Sequence, residues 1–338
     1  MGISAIGDQA RAFAMHASST RIKTTLSILT GELASGEVAD LGARLNGNTQ
    51  GIADIEAKLA RLNQLKTSAT ELATHTAGMN TALDSIREFS SSLVLNLVVE
   101  PLGESDSIVK ARVAEVSGAF DTAVARLNSS IGQRHLFSGV NSDQPPLIPA
   151  QQILDELQAV TAGMTTAADI TAAVSAWFDA APGGGGFLDV AYQGSLHATP
   201  TVQVGDATKI TLDITAGSEV IREQLKGLAM GALLDRGVLD SDYREKRAVL
   251  KAAGTVLMNN TSAFADEIGG IGYIQQTIER AQTEGGASIA VYETMRNELR
   301  LADPYQTAAA ITEAETQLDT LYAVTARLSK LKLVDYLR

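Results

Sequence analysis

Residues 52–93 read IADIEAKLARLNQLKTSATELATHTAGMNTALDSIREFSSSL, and this stretch decides the fold. Its apolar residues recur at alternating steps of three and four, the seven-residue repeat with which helices pack along a seam. Polar Lys66, Thr76 and Ser90 fill the seam positions that apolar residues skip. The repeat predicts one helix of about fifty residues, several times the average length in globular proteins. The seam consists of Ile52, Ile55, Leu59, Leu62, Ala69, Leu72, Met79, Leu83, Ile86 and Leu93.

The N-terminal segment has a repeat of the same kind. Its apolar residues follow steps of three and four at the very start and resume after a short interval. Residues 31–48 are richer in glycine and polar residues, so we interpret them as a connection. We expect the apolar residues of this segment to contribute to an assembly interface. The repeat consists of Ile3, Ile6, Ala10, Phe13, Ala17, Leu26, Leu29 and Leu33, and all of these except Ala17 are the predicted interface residues.

The C-terminal segment starts with a helix signal at residues 303–306, DPYQ. Asp303 is suited to cap the helix, Pro304 to its first position and Gln306 to its third. Terminal helices by themselves bury too little surface to offset the entropy of ordering, so we expect the two ends to pair antiparallel and to become stable on assembly. The apolar residues expected at this end of the interface are Leu318, Leu321, Leu328, Leu331 and Leu337.

The segments between the ends change in character. A third helix, capped by Ser105 or Asp106, is predicted by a stripe that runs from Val109 to Ile131. Residues 140–215 contain prolines, two short Ala-rich helices at 151–161 and 167–180, a glycine run at 183–186 that we interpret as a flexible loop, and strands at 187–192, 201–204 and 209–214. Helices return from Ser218, with a break expected at Gly285–Gly286.

The predicted fold is therefore mainly α. It consists of a long antiparallel helical-bundle or coiled-coil rod, built from both termini, with a small mixed α/β insert domain. The predicted divisions are residues 1–139 as the N-terminal long-helix segment, 140–215 as an outward-facing insert and 216–338 as the C-terminal long-helix segment.

Composition excludes several classes of function. The 338 residues have a net charge of −12, which disfavours nucleic acid and anionic membrane surfaces as partners. No cysteine is present, so disulfides, thiol catalysis and thiol metal sites are excluded. The N-terminus lacks the pattern of a cleaved signal peptide, and no apolar stretch is long enough to span a bilayer.

The sequence contains no pattern typical of an enzyme site. The four histidines have no metal-ligand spacing, and we expect them to be solvated or locally hydrogen-bonded. Residues 269–272, GGIG, lack the preceding strand of a nucleotide loop, so a helix break or a close-packing site is the preferred interpretation. The carboxylates fall on the polar faces of predicted helices. We therefore predict no catalytic, cofactor-binding or metal-binding residues.

Two stretches resemble a known family. Residues 131–147, IGQRHLFSGVNSDQPPL, include Leu136, Phe137, Ser138 and Gly139, and residues 319–337 end in a leucine-rich helix. The flagellin-like family of bacterial axial proteins, which includes the hook–filament junction proteins, has a similar YLFSG element and a similar C-terminal ending. A weaker similarity lies in LASG at 33–36. The resemblance covers both terminal thirds, with the insert between them.

The chain departs from the family in two places. His135 stands where the family has tyrosine, and residues 37–42, EVADLG, stand where flagellins have a DDP or DDAAG stretch. The second departure disfavours a main filament flagellin and favours a junction protein.

The resemblance implies export of the unfolded chain through the flagellar type III apparatus and an extracellular place in the flagellum. It implies four kinds of partner: further copies of the same chain, hook-associated protein 1, flagellin and an export chaperone. Two alternatives remain open. One is a minor flagellin of the filament, and the other is a secreted protein that binds a surface ligand through residues 140–215.

Overall fold

The computed structural model describes residues 3–98, 105–196 and 201–336, and it describes side chains for those between 9 and 327. The predicted mainly α fold is confirmed. The helices are α1 Ile3–Ser35, α2 Leu41–Arg44, α3 Gln50–Val98, α4 Asp106–Leu127, α5 Ala150–Val160, α6 Ala167–Asp179, α7 Phe187–Val190, α8 Glu219–Ala232, α9 Tyr243–Arg300 and α10 Pro304–Tyr336, with a 3-10 turn at Leu233–Arg236.

Two short antiparallel hairpins complete the described secondary structure. β1 (Ser130–Ile131) pairs with β2 (Arg134–His135), and β3 (Val202–Gln203) pairs with β4 (Lys209–Ile210). Each strand has only two residues, so these hairpins depend on packing against helices for their stability.

The chain divides into two compact units. The first contains Met1–Asn63 and Ala287–Arg338, and the second contains Gln64–Gly286. This division differs from the three predicted segments, because residues 140–215 belong to one unit with all of α4 and α8 and parts of α3 and α9. Long helices α3 and α9 each contribute to both units.

The predicted seam of α3 is confirmed. Its apolar residues are buried or half-buried at the expected steps, and Thr76 and Ser90 are buried at positions that the repeat assigned to them. The Thr76 hydroxyl donates to the carbonyl of Leu72 at 3.0 Å, so its burial leaves no donor unsatisfied. Lys66 is exposed instead, and Leu65 is half-buried beside it.

Helix α8 lies at the centre of the second unit. It packs against α4 and α6 and is buried on every side through most of its length. A Cβ at Gly231 would lie 2.5 Å from a methyl carbon of Val116, which shows how closely α8 approaches α4. Such contact requires glycine at this position, because any side chain would push the helices apart.

Two polar groups inside this unit are fully partnered. Gln224 of α8 donates to Ser90 of α3 at 2.6 Å and accepts from Asn260 of α9 at 3.1 Å. Lys226 forms ion pairs with Asp179 at 2.8 Å and with Glu223 at 2.5 Å. Satisfied networks of this kind favour one arrangement of the helices over others, because a shifted helix would leave buried groups without partners.

The predictions for the insert were partly wrong. Helices α5 and α6 match the two predicted ones. Before the insert, α4 ends at Leu127, so Ile131 lies in the unpredicted hairpin β1–β2 and not on the helical stripe. Asn128 explains the early end of α4. Its side chain bonds both the N–H and the carbonyl of Leu147, at 2.9 and 3.0 Å, and this pairing directs the chain away from the helix.

The predicted strand at 187–192 is also wrong. Residues Phe187–Val190 form the short helix α7 directly after the glycine run. The two later predicted strands are reduced to β3 and β4. Phe187 is fully buried and stacks on Phe178 of α6 with centroids 5.1 Å apart, so its packing against a helix overrides its strand propensity.

Helix α9 is unbroken where a break was predicted. It continues through Gly285–Gly286 and also through Gly269–Gly270. A Cβ at any of these glycines, or at Gly272, would meet no atom within 4 Å, so the alternative of close packing at 269–272 is wrong as well. The seam residues of α9 maintain the helix despite these glycines. They include the buried Phe264, Ile271, Ile278, Ala281 and Ile289.

The glycines of α9 and α8 provide a matched stability test. Gly270→Ala should stabilise α9 by about 0.5–1 kcal/mol, because alanine loses less backbone entropy in a helix and the site has room for a methyl group. Gly227→Ala should destabilise by about 1–3 kcal/mol, because its Cβ would lie 2.8 Å from Leu257 side-chain atoms and 3.2 Å from the Ala253 carbonyl.

Urea unfolding followed by circular dichroism at helical wavelengths measures both variants against the parent. A loss of stability in Gly270→Ala would contradict this account, since it would mean that α9 requires glycine there.

Candidate assembly interface

Helices α1 and α10 pair with each other along one seam. The predicted antiparallel pairing of the chain ends is confirmed, since the end of α1 lies beside the start of α10 and Met15 lies beside Thr325. Both helices present half-buried or buried residues at steps of three and four. On α1 these are Met15, Ile22, Leu26 and Leu29, and on α10 they are Thr307, Ile311, Ala314, Leu318 and Leu321.

Polar contacts set the register of this pair. The Lys23 ammonium lies 5.8 Å from the centroid of the Tyr322 ring, and the Thr325 hydroxyl lies 3.5 Å from the Met15 sulfur. Hydrogen bonds from Lys23 and then Ser19 lower the pKa of Tyr322 below its usual value. Both partners of Tyr322 stand on α1, so the phenol links the two helices at one height.

Hydrogen bonds link the residues that follow α1 and precede α10 to the C-terminal end of α9. The N–H of Val38 donates to the carbonyl of Arg300 at 2.9 Å, and the N–H of Ala302 donates to the carbonyl of Gly36 at 2.9 Å. Arg44 donates to two carbonyls at the end of α9, that of Glu298 at 3.2 Å and that of Leu301, the residue after the helix, at 2.8 Å. A cation there complements the negative end of the helix.

The start of α10 matches its predicted cap. Asp303 accepts from the N–H groups of Tyr305 at 2.9 Å and of Gln306 at 3.2 Å, and Pro304 is the first helical residue. The aspartate therefore satisfies two donors that the first turn of a helix leaves free.

Helix α1 also has a second apolar stripe, on its opposite side. At 3.6 residues per turn, Ala10, Phe13, Ala17, Thr24 and Ile28 lie on the face that points away from the α10 seam. All five are exposed, and Phe13 retains 77% of its accessible surface. These residues again follow a seven-residue repeat, because they are separated by steps of 3, 4, 7 and 4 residues. We call this set the outer stripe.

The outward side of α10 is smooth and contains small residues. Thr312, Thr316 and Thr320 each donate their hydroxyl hydrogen to the carbonyl four residues earlier, at 3.1, 2.9 and 2.8 Å. Their hydroxyl donors are therefore satisfied within the helix, and their methyl groups face outward together with Ala309 and Ala323. We call these five residues the α10 outer face.

The predicted interface residues thus fall into three groups. Leu26, Leu29, Leu318 and Leu321 lie in the seam between α1 and α10, where they are half-buried, and Leu33 lies near its end but is exposed. Ala10 and Phe13 lie in the outer stripe. The side chains of Ile3, Ile6, Leu328 and Leu331, and all of Leu337, lie outside the described residues.

Sequence reasoning treated the apolar residues of α1 as one seam, and it missed that α10 covers only some of them. It also missed Met15 and Ile22 in the paired seam. The steps in the sequence contained the signal, because counting in sevens back from Leu29 reaches Ile22 and Met15, whereas counting from Ala17 reaches Ala10 and Thr24.

The family motif is part of the core of the second unit. Leu136, Phe137 and Ser138 are buried, and Gly139 has a φ of 65° that favours glycine. The carbonyl of Phe137 accepts from the N–H of Ala216 at 2.9 Å. The carbonyl of Ser138 accepts from the N–H of Ser195 at 2.9 Å, and its hydroxyl donates to Gln144 at 2.7 Å. The motif therefore joins three distant parts of the chain.

The glycine run at 183–186 is ordered by an internal carboxylate. Asp189 of α7 accepts from the N–H groups of Gly183 at 2.8 Å and Gly185 at 2.7 Å. These hydrogen bonds lower the pKa of the carboxyl group below its usual value. The prediction of a flexible loop therefore misses this cap, in which backbone N–H groups surround an anion that the chain itself supplies.

Other candidate sites are sparse in the described ranges. His135 is hydrogen-bonded to the carbonyl of Asn128 at 2.8 Å, and His197 lies outside the described residues. Among the described side chains, His, Asp and Glu nowhere cluster as a metal ion would need. Within the same ranges, no helix combines the length and the apolarity that a bilayer span requires.

Comparison with known proteins finds similarity only at the level of solved structures. No protein-family model and no curated protein matches the chain. A putative flagellar hook-associated protein from Vibrio parahaemolyticus is 14% identical, with a TM-score of 0.40 over 75% of this chain and 93% of that one. FlgL from Bacillus cereus is 12% identical, with a TM-score of 0.42 over 74% and 99%. At such identities the likeness is one of fold alone.

The Asp189 cap should make the stability of the glycine loop depend on pH. Because its folded pKa is lowered, the carboxylate stabilises the loop above its ordinary pKa, and this contribution is lost as the pH falls through the lowered value. Asp189→Asn should remove it at neutral pH. Amide hydrogen exchange at Gly183 and Gly185 should then become faster than in the parent, while Asp213→Asn, an exposed carboxylate of the same unit, should leave it unchanged. Equal protection in both variants would refute the cap.

Proposed function

We propose that this protein is a structural subunit of the bacterial flagellum that joins hook to filament and assembles through its terminal helices. The role is mechanical rather than catalytic. The observation that carries the proposal is the outer stripe of α1, a seven-residue apolar repeat that the chain's own partner helix leaves exposed.

The energetics of the outer stripe favour association. Burying one large apolar side chain such as Phe13 contributes about 1.5–3 kcal/mol, and the stripe adds Ile28 and three smaller residues. An apolar row at heptad spacing is the pattern with which one helix packs into another. A pair of helices with one covered seam is also marginal by itself, so assembly would stabilise the pair as well.

The α10 outer face of a second copy suits the outer stripe. Small residues let a neighbouring helix approach closely, and Phe13 and Ile28 would supply the larger side chains. Charges match as well. The α1 segment 9–31 contains Arg11, Arg21 and Lys23 without any acidic residue, and the α10 segment 304–323 contains Glu313, Glu315 and Asp319 without any basic one. Opposite charges on two surfaces orient and accelerate their encounter.

A contact between two different surfaces repeats from one copy to the next. Such a head-to-tail interface produces rings where the rotation closes and helical arrays where it does not. Either outcome suits a layer in a tubular assembly, in which the same outer faces would meet hook-associated protein 1 on one side and flagellin on the other.

The remaining parts of the proposal follow the family resemblance of residues 131–147 and 319–337. In this proposal the chain is exported unfolded by the flagellar type III apparatus and acts outside the cell. An export chaperone covers the C-terminal seam before export. Residues 140–215 face outward from the assembled layer.

Substitutions on the two sides of α1 test the assembly proposal. Phe13→Asp should leave the monomer as helical as the parent but abolish self-association, because it would bury an unpaired charge between copies. Leu26→Asp should instead disrupt the α1–α10 pair within one chain and lower helicity. Ser27→Asp adds the same charge to α1 at an exposed site outside both stripes and should behave as the parent.

Sedimentation and circular dichroism on the three variants provide both readouts. Assembly by Phe13→Asp equal to that of Ser27→Asp would refute the role of the outer stripe, whatever the fate of Leu26→Asp.

A deletion strain tests the place in the flagellum. Cells without this chain should show bare hooks and release filament protein into the medium, and labelled protein in wild-type cells should mark only the base of the filament. Label along the whole filament would indicate a minor flagellin instead. Normal filaments in the deletion strain, with binding of the chain to a surface ligand, would favour the secreted binding protein.

A further inference from the structure

The second unit contains a groove that the proposed assembly through α1 and α10 does not use. Three walls form it: the side of α3 around residues 68–75, the hairpin β1–β2 with residues 136–142, and the extended segment from β3 to residue 214. Its volume is about 440 Å³, within the range of small-molecule sites. We call it the insert groove.

The walls of the insert groove are mainly apolar. The extended segment presents one face to the groove, because its alternate residues Ile210, Leu212 and Ile214 all line it. Leu72 of α3 lines the opposite wall. Ile131 and Leu136 of the hairpin region and Val202 of β3 complete the apolar lining. Ile210 and Leu212 are themselves largely buried, so the groove is a concave site held by the core and not a flat patch.

Charged and titratable groups line the groove on two walls. Glu71 and His75 belong to α3, and Arg134 belongs to β2. In the described residues the Arg134 guanidinium makes one hydrogen bond, from Nε to the Ser142 hydroxyl at 3.4 Å, so its terminal amino groups remain available. Burial, and then the positive charge of Arg134, lower the pKa of His75, so the imidazole is neutral at neutral pH.

These features specify the class of ligand. The aliphatic walls select an aliphatic chain, and the guanidinium, with its two free amino groups, selects a carboxylate, which it can bind through two parallel hydrogen bonds. A cationic head placed at Arg134 would be repelled, and the acidic residue in the lining that could attract it is the exposed Glu71 of the α3 wall. A neutral head would leave the hydrogen-bonding capacity of Arg134 unused.

We propose that the insert groove binds a small amphipathic anion, an aliphatic chain with a terminal carboxylate. The chain lies among Leu72, Ile210 and Leu212, and the carboxylate pairs with Arg134 beside His75. The bound negative charge offsets that of Arg134, so binding and protonation of His75 favour each other. This binding is independent of how the terminal helices assemble.

Decanoate below its micelle concentration is the probe, added to the full-length chain. Calorimetry should show saturable binding, and the His75 ring signals in NMR should report a pKa that rises on saturation. Decylammonium and decanol have the same chain with a cationic or neutral head, and both should bind at least about tenfold more weakly.

Arg134→Gln should weaken decanoate binding about tenfold or more and remove the rise in the His75 pKa, while its circular dichroism stays that of the parent. Arg126→Gln, at an exposed arginine at the end of α4, is the matched control and should bind as the parent does. Equal binding of decanol and decanoate, equal binding by the two variants, or binding that leaves the His75 signals unchanged would each overturn the proposal. Competition by an apolar peptide without a carboxylate would overturn the ligand class as well.

Discussion

A single partner helix can cover only one side of the helix that it packs against, and the terminal part of this protein depends on that constraint. Helix α1 has two stripes on opposite sides, each with a seven-residue repeat, and α10 covers the stripe that contains Ile22, Leu26 and Leu29. The second stripe has no counterpart within the pair. Its exposure is a consequence of helix geometry, because residues at these two sets of positions cannot face the same neighbour. The described part of α1 therefore has one stripe covered by α10 and one that remains exposed.

The unit formed by Gln64–Gly286 is built on the opposite principle. Helix α8 is buried on all sides through most of its length, and its polar residues Gln224 and Lys226 find partners inside the chain. The Leu136–Gly139 motif joins residues 195 and 216 to the hairpin through backbone hydrogen bonds. The other unit, by contrast, leaves the outer stripe of α1 exposed.

The predictions that succeeded depend on local periodicity and capping. The seam of α3 and the cap at Asp303 follow from residue spacing within a few turns, and the antiparallel pairing of the ends was expected because each terminal helix needs a partner to become stable. Those that failed depend on distant contacts. The break expected at Gly285–Gly286 is absent because seam packing along α9 outweighs the cost of glycine, about 1 kcal/mol for each residue. Phe187 enters a helix because Phe178 and the Asp189 cap determine its surroundings, and α4 ends early because Asn128 binds residue 147.

The sequence by itself determined which segments are long helices and which residues are available for seams, since the heptad repeat is a property of spacing along the chain. Only the tertiary structure decided which stripe of α1 is covered and which remains open, because that depends on the partner helix chosen from elsewhere in the chain. It likewise decided that His75, Arg134 and Leu212, more than fifty residues apart in sequence from one to the next, line a single groove. Spacing can specify a surface, but which part of that surface is covered is set by contacts that no local pattern contains.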